Sequence, residues 1–222
     1  MILDTKVRYL QVAFNDDVGL VRRVLPTIVP SDRILIEAGT PYLKREGMRG
    51  IFEIRKRWPG HIVADLKTAD GAVDEVIMAW EAGATAATVL GNSPTETLNL
   101  FIEACSRHNM ISMIDMLGVH DPLKVLLPLT KPPQVVVLHR GRDEENTHGK
   151  VIQYKHVSRI RSKYDIIISA AGGVTLKEAR SAIFNGANMV VANLVKPGDV
   201  WKGISIDTDV GTLAREFLAT IE

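Results

Sequence analysis

Cysteine is nearly missing from this chain: Cys105 is the only one in 222 residues, so neither an intramolecular disulfide nor a multi-cysteine metal centre is open to it. That fits a reducing compartment, and a cytoplasmic location is the expectation. Charge of one sign is also missing. The formal net charge is +1 and the lysines and arginines are dispersed among the acids, without the basic stripe of a nucleic-acid binder. No apolar run approaches the ~18 residues of a membrane span, and the opening MILDTKVRYL lacks the charged-then-apolar layout of a secretory leader. Nucleic acid and membrane are not expected partners.

What is present is core-forming material, 46% of the residues, arranged as short β-rich runs every 20 to 30 residues or so. Eight runs stand out: Tyr9–Phe14, Arg33–Ala38, His61–Leu66, Ala86–Leu90, Ile111–Met116, Val135–His139, Asp165–Ala170 and Met189–Ala192. Between them lie amphipathic stretches such as GAVDEVIMAWEAGA and TLKEARSAIFNGA, each with a glycine near its end that suits a helix C-cap. Strands alternating with helices predict parallel βα units, and eight of them predict a closed (β/α)₈ TIM barrel, with a doubly wound open sheet as the alternative. No linker or low-complexity tract divides the chain, so residues 1–222 read as one barrel domain.

Catalytic groups of such barrels sit at the C-terminal strand ends. There the chain is unusually polar: Asn15 and Asp16 after strand 1, Glu37 on strand 2, and Asp65, Lys67 and Asp70 within IVADLKTADG at strand 3. Asn92 follows strand 4, Asp115 lies on strand 5, and His139, Arg140, Arg142 and Asp143 lie at strand 6. Residues two apart on a strand share a face, so Asp65 and Lys67 are both expected to point into the barrel mouth. Each keeps the other ionised, and a lysine held this way stabilises developing negative charge. Glu37 and Asp65, on neighbouring strands, suit two oxygen ligands of a hard cation, Mg²⁺ being the expectation. The competing account is an ion-pair network that only closes the barrel. After strand 7, Gly172 and Gly173 leave the backbone bare ahead of a helix opened by Thr175, an arrangement suited to a phosphate.

IVADLKTADG resembles the D-x-K-x-x-D signature of the orotidine 5′-monophosphate decarboxylase superfamily. YLQVAF, IEAGTPYLKREGM, TVLG, IDMLGVHDPLK and SAAGGVTLKEA are similar to its 3-hexulose-6-phosphate synthase branch, and nearly as similar to the sister 3-keto-L-gulonate-6-phosphate decarboxylase branch. The resemblance, running from about Tyr9 to Ala192, implies a homodimeric, Mg²⁺-dependent lyase that stabilises an enediolate of a sugar phosphate. It implies metal ligation by Glu37 and Asp65, substrate binding and charge stabilisation by Lys67, and an acid, Asp70, donated into the partner's active site. It further implies catalytic roles for Asp115 and for His139 as the proton-handling group, and phosphate binding by Gly172 and Gly173. Asn15, Arg142 and Asn193 are the remaining substrate-binding candidates.

Two departures stand out. Where the family pattern reads LQVALD this chain reads LQVAFND, with Asn15 in the aspartate's place, and where it carries Gly-Arg on strand 8 this chain has Asn193 and Leu194. Lys196 is the nearest replacement for the lost arginine. Arg142 matches the decarboxylase branch, whereas IEAGTP, EGM and GVHDPLK match the synthase branch, which makes joining formaldehyde to ribulose 5-phosphate the expected reaction. The alternatives are a carboxy-lyase using the same enediolate and a barrel that binds a phosphorylated metabolite without turnover. Trp58, Trp80 and the methionines are assigned to the core, and His108, His120, His148 and His156 to the surface.

Overall fold

The fold was described from a computed structural model covering residues 3–145, 147 and 151–222. Eight strands pair in chain order, all parallel: β1 (Tyr9–Phe14), β2 (Ile34–Ala38), β3 (Ile62–Thr68), β4 (Ala86–Leu90), β5 (Ile111–Asp115), β6 (Val135–His139), β7 (Ile167–Ala171) and β8 (Met189–Val195). β8 returns to β1 with Tyr9 opposite Met189, so the sheet closes into a (β/α)₈ barrel and the open-sheet alternative falls. A two-residue strand, β9 (Ile204–Ser205), extends the end of β8 by pairing Leu194 with Ile204. Around the barrel lie α1 (Val18–Val24), α2 (Thr40–Glu46), α3 (Met48–Arg55), α4 (Ala72–Glu81) and α5 (Thr95–Arg107). They are followed by α6 (Pro122–Leu126), α7 (Val157–Arg161), α8 (Leu176–Phe184) and α9 (Val210–Thr220).

The pleat sorts each strand into two cores. On β1, Leu10, Val12 and Phe14 face outward into a layer that also holds Tyr42, Ile51, Trp58, Phe101 and Phe217. Tyr9 faces inward, with Leu35, Val63, Ile111, Met113, Val135, Ile167 and Met189, and these side chains fill the lower barrel. Above this plug, at the C-terminal strand ends, the barrel opens into a cavity. Glycines end the helices as the sequence predicts, Gly83 after α4 at φ 99° and Gly186 after α8 at φ 91°.

Three surface and core expectations are corrected. Trp80 and Met78 are 45% and 48% exposed, because α4 turns Ala72, Val76 and Ala79 to the barrel. Trp80 stacks on His108 instead, ring centroids 4.5 Å apart. His156 is buried, in the turn that leads into α7. His148 lies outside the described residues. Among the described residues no helix is long and apolar enough to cross a membrane.

Candidate active site

The barrel mouth holds a cavity of about 340 Å³, lined on its strand side by Gln11, Asn15, Glu37, Asp65, Lys67, Thr88, Asp115, His139 and Asn193. β3 makes this convergence possible by an irregularity. Its register against β4 runs from Ala64 opposite Ala87 to Thr68 opposite Val89, so three residues of β3 lie across from the single Thr88. Lys67 takes up the excess with a left-handed backbone, φ 49°, a conformation costly for a non-glycine residue and characteristic of functional sites. Asp65 and Lys67 therefore both face inward, as expected, but through a bulge rather than a plain pleat. Thr88 serves both: its Oγ1 donates to Asp65 Oδ1 at 2.8 Å and accepts from the Lys67 N–H at 3.0 Å.

The charges form a chain. Lys67 Nζ donates to Asp65 Oδ1 at 3.2 Å and to Asp115 Oδ2 at 2.5 Å. Asp115 also accepts from His139 Nδ1, at 3.0 and 2.9 Å to its two oxygens. Burial works against the charge on Lys67, yet Asp65 and Asp115 outweigh it and hold the ammonium above the usual lysine range. Burial likewise opposes ionisation of Asp115, and His139 and Lys67 reverse that, holding the carboxyl well below the usual range. His139, disfavoured as a cation by burial, is raised above its ordinary value by Asp115. With Nδ1 committed, Nε2 is the ring atom left for the cavity.

Glu37 sits beside this chain. Its carboxyl is raised to about 7, first by burial and then by the neighbouring Asp65. Gln11 Nε2 donates to Glu37 Oε2 at 2.5 Å, while Gln11 Oε1 is buried without a hydrogen-bond partner among the described residues. Asp65 is fixed by Thr40, whose Oγ1 donates to Oδ2 at 2.7 Å. Among the described residues no group of three or more His, Cys, Asp or Glu side chains could hold a metal ion. Two mutually repelling carboxylates with an orphaned amide oxygen nearby nevertheless fit a hard cation in charge and donor type, with water and substrate completing its shell.

On the β7 side Gly172 has φ 104°, and a Cβ there would lie 2.0 Å from Arg140 O, so only glycine fits. Gly172 lines the cavity; Gly173 follows at φ 65°, beside the Arg140 and Glu145 side chains. Asn15 and Asn193 both line the cavity and bond to each other at 2.9 Å. Leu194 points away and is buried in the outer core. Lys196 is committed to Asp16 at 2.5 Å, which places it on a smaller side cavity of about 170 Å³ rather than in the main one. Arg142 lies between the two cavities, its guanidinium 4.3 Å from the centre of the Trp201 ring.

Of the strand-end residues singled out in the sequence, Asp70 and Asn92 do not line the cavity; both are exposed, Asp70 beyond the end of β3 and Asn92 beyond the end of β4. Gln11, Thr40 and Thr88 were missed. Gln11 and Thr88 each carried a signal, a polar side chain at an inward position of an otherwise apolar strand.

The chain is 36% identical over 216 residues to the bifunctional enzyme Fae/Hps of Methanothrix thermoacetophila, covering 96% of this chain and 53% of that protein. It thus spans about half the length of the curated relatives it matches. A solved 3-hexulose-6-phosphate synthase is 27% identical with a TM-score of 0.79, over 96% of this chain and 100% of the other. The 3-hexulose-6-phosphate synthase of Salmonella typhimurium shares the fold at a TM-score of 0.81, with 23% identity over 96% and 98% of the two chains. Residues 22–193 match the family model described as Orotidine 5′-phosphate decarboxylase / HUMPS family. Because that match runs from α1 to the mouth of β8 and takes in every strand-end group from Glu37 to Asn193, the chain belongs to this family.

Proposed function

We propose that this barrel is a sugar-phosphate lyase that joins formaldehyde to ribulose 5-phosphate, the reaction its sequence resemblance implies; its similarity to a solved 3-hexulose-6-phosphate synthase supports the reading. The observation that carries the reading is the Lys67–Asp115–His139 chain, which sets an imidazole nitrogen and an ammonium side by side at one end of the cavity. Neutral His139 takes a proton from C1 of the ketose through Nε2, and the electron pair moves onto the carbonyl oxygen. Lys67 stabilises the negative charge that develops there, a role worth most in a site closed to water. The enediolate carbon then forms a bond to formaldehyde, and the imidazolium returns its proton to the new alkoxide, so His139 ends as it began. Asp115 keeps the ring in one tautomer and keeps Lys67 charged throughout.

Glu37 and Asp65 are the residues that would hold Mg²⁺, which when bound supplies positive charge to substrate oxygens and relieves the repulsion between the two carboxylates. Gly172 and Gly173 supply bare backbone for the phosphate end. Asp70, exposed beyond its own cavity, is read as completing the site of a second copy in a homodimer. The direct test supplies ribulose 5-phosphate and formaldehyde with Mg²⁺ and follows loss of formaldehyde. In parallel, 3-keto-L-gulonate 6-phosphate is followed for CO₂ release. Turnover of the second substrate alone would replace the aldolase reading with the carboxy-lyase one.

A further inference from the structure

At the phosphate end β8 brings no cation to the cavity, and Arg140, beside the glycines, is committed to the backbone: its Nη2 donates to Gly172 O at 2.8 Å and it does not line the cavity. On β8, Leu194 stands where the family pattern has arginine and is buried in the outer core, and Asn193 is neutral and bonded to Asn15. Lys196 is held by Asp16. Lys67 is held between Asp65 and Asp115. Arg142 is different: among the described residues no carboxylate lies within ion-pair distance of it, and it lines the main cavity together with Gly172 and Asn193. A bare guanidinium on a surface turn has many rotamers, and what restricts this one is the face of Trp201.

Trp201 belongs to the segment between β8 and β9, and that segment is tied to the turn carrying Arg142. The Lys202 N–H points to Glu145 Oε2 at 3.4 Å. A Cβ on Gly203 would lie 2.1 Å from Asn193 O, which shows how closely the returning chain presses on the end of β8. The indole is thus placed by β8 and β9, the guanidinium by β6, and the two meet at the junction of the two cavities.

We propose that Trp201 is a positioning residue that holds the Arg142 guanidinium at the rim of the Gly172 cradle, so that Arg142 supplies the phosphate-binding cation that β8 lacks. The proposal rests on the sugar-phosphate reading for its substrate but not for its physics, because any phosphate would be gripped the same way. A guanidinium held over an indole face has less freedom left to lose on binding, and its N–H groups can still donate to a phosphate.

Calorimetric titration with inorganic phosphate at fixed salt and pH tests it in four forms: wild type, Arg142→Ala, Trp201→Ala and the double variant. Arg142→Ala is expected to weaken phosphate about tenfold or more. Trp201→Ala should weaken it roughly twofold to fivefold, and Trp201→Phe, which keeps an aromatic face, should restore most of that loss. In the Arg142→Ala background Trp201→Ala should add nothing, because it acts through the guanidinium. Additive losses, indifference to Arg142→Ala, or no phosphate binding by the wild type would overturn the proposal. If Trp201→Ala disrupts the segment as a whole, Trp201→Phe still decides, since a ring-face role predicts retention. The two readings separate cleanly. The expected phosphate pattern without ribulose 5-phosphate turnover keeps Trp201 and removes the synthase; turnover with phosphate affinity indifferent to Arg142 does the reverse.

Discussion

Asn15 donates through Nδ2 to Asn193 Oδ1 at 2.9 Å, a side-chain bond across the seam where β1 and β8 close the barrel. These are the two positions at which the sequence departs from the family pattern of an aspartate on strand 1 and a glycine on strand 8. An aspartate and a glycine could not make this bond, since the glycine has no side chain to accept or donate. The bond thus joins the two side chains that stand where the family pattern has an aspartate and a glycine, and it gives each asparagine a partner.

Removing either asparagine should accordingly cost the same bond. Asn15→Ala and Asn193→Ala are each expected to lower stability by about 1 kcal/mol, roughly 2–4 °C in melting temperature for a chain of this size. The double variant should lose clearly less than the sum. Strict additivity in thermal melts would mean that the bond contributes nothing. Leu194→Arg, by contrast, forces a charge into the outer core and should lower the melting temperature without improving phosphate affinity.

Chelation should abolish turnover and Mg²⁺ should restore it. Glu37→Gln removes one of the two proposed acid ligands, so in this variant Mg²⁺ should no longer raise the melting temperature, as a ligand specific to the native state must. Full activity after exhaustive chelation would remove the metal from the mechanism.

His139 is raised above its ordinary value of 6.5 because Asp115 outweighs the opposing effect of burial. In the proposed mechanism neutral His139 is the base, so kcat/KM should fall on the acid side as the ring gains its proton. Asp115→Asn takes away the raising partner, and the acid limb of the profile should move to lower pH while the plateau drops. The stability contribution has the opposite sense. A raised histidine stabilises the fold fully below its unfolded value, and that contribution is lost as pH rises through the folded value. An acid limb that stays in place in Asp115→Asn would assign the limb to another group.

Mixing Lys67→Ala subunits with Asp70→Ala subunits should regenerate activity that neither variant has alone. In a mixed dimer one site receives both lesions and the other receives neither. Failure of every mixed population to recover would confine Asp70 to a structural role.

The barrel was legible because apolar runs and capped helices repeat eight times, and β1, β4 and β6 begin and end at the expected residues. The strand-end census found the charged core of the site for a related reason: acids and a lysine at the ends of buried strands have no packing use. Three things escaped it. Thr40 and Thr88 act as small donors to Asp65, and threonine in or beside a strand carries no charge to mark it. β8 runs on to Val195 because it gains β9 as a neighbour, a pairing set by tertiary contact rather than by local pattern. Arg142 meets Trp201 across 59 positions of sequence, a separation at which no periodicity operates.

The bulge in β3 bears on how this chemistry can be moved between proteins. Asp65 and Lys67 converge because the strand holds more residues than its neighbour across from Thr88, and because one of them accepts a left-handed backbone. Writing the same side chains onto a regular strand of another barrel would transplant the letters without the geometry: the lysine would rise a full pleat away from the position it holds here. A graft must therefore insert length in one strand and leave its neighbour unchanged. The smallest portable unit is the pair β3 and β4 with Thr88, not the Asp-x-Lys motif.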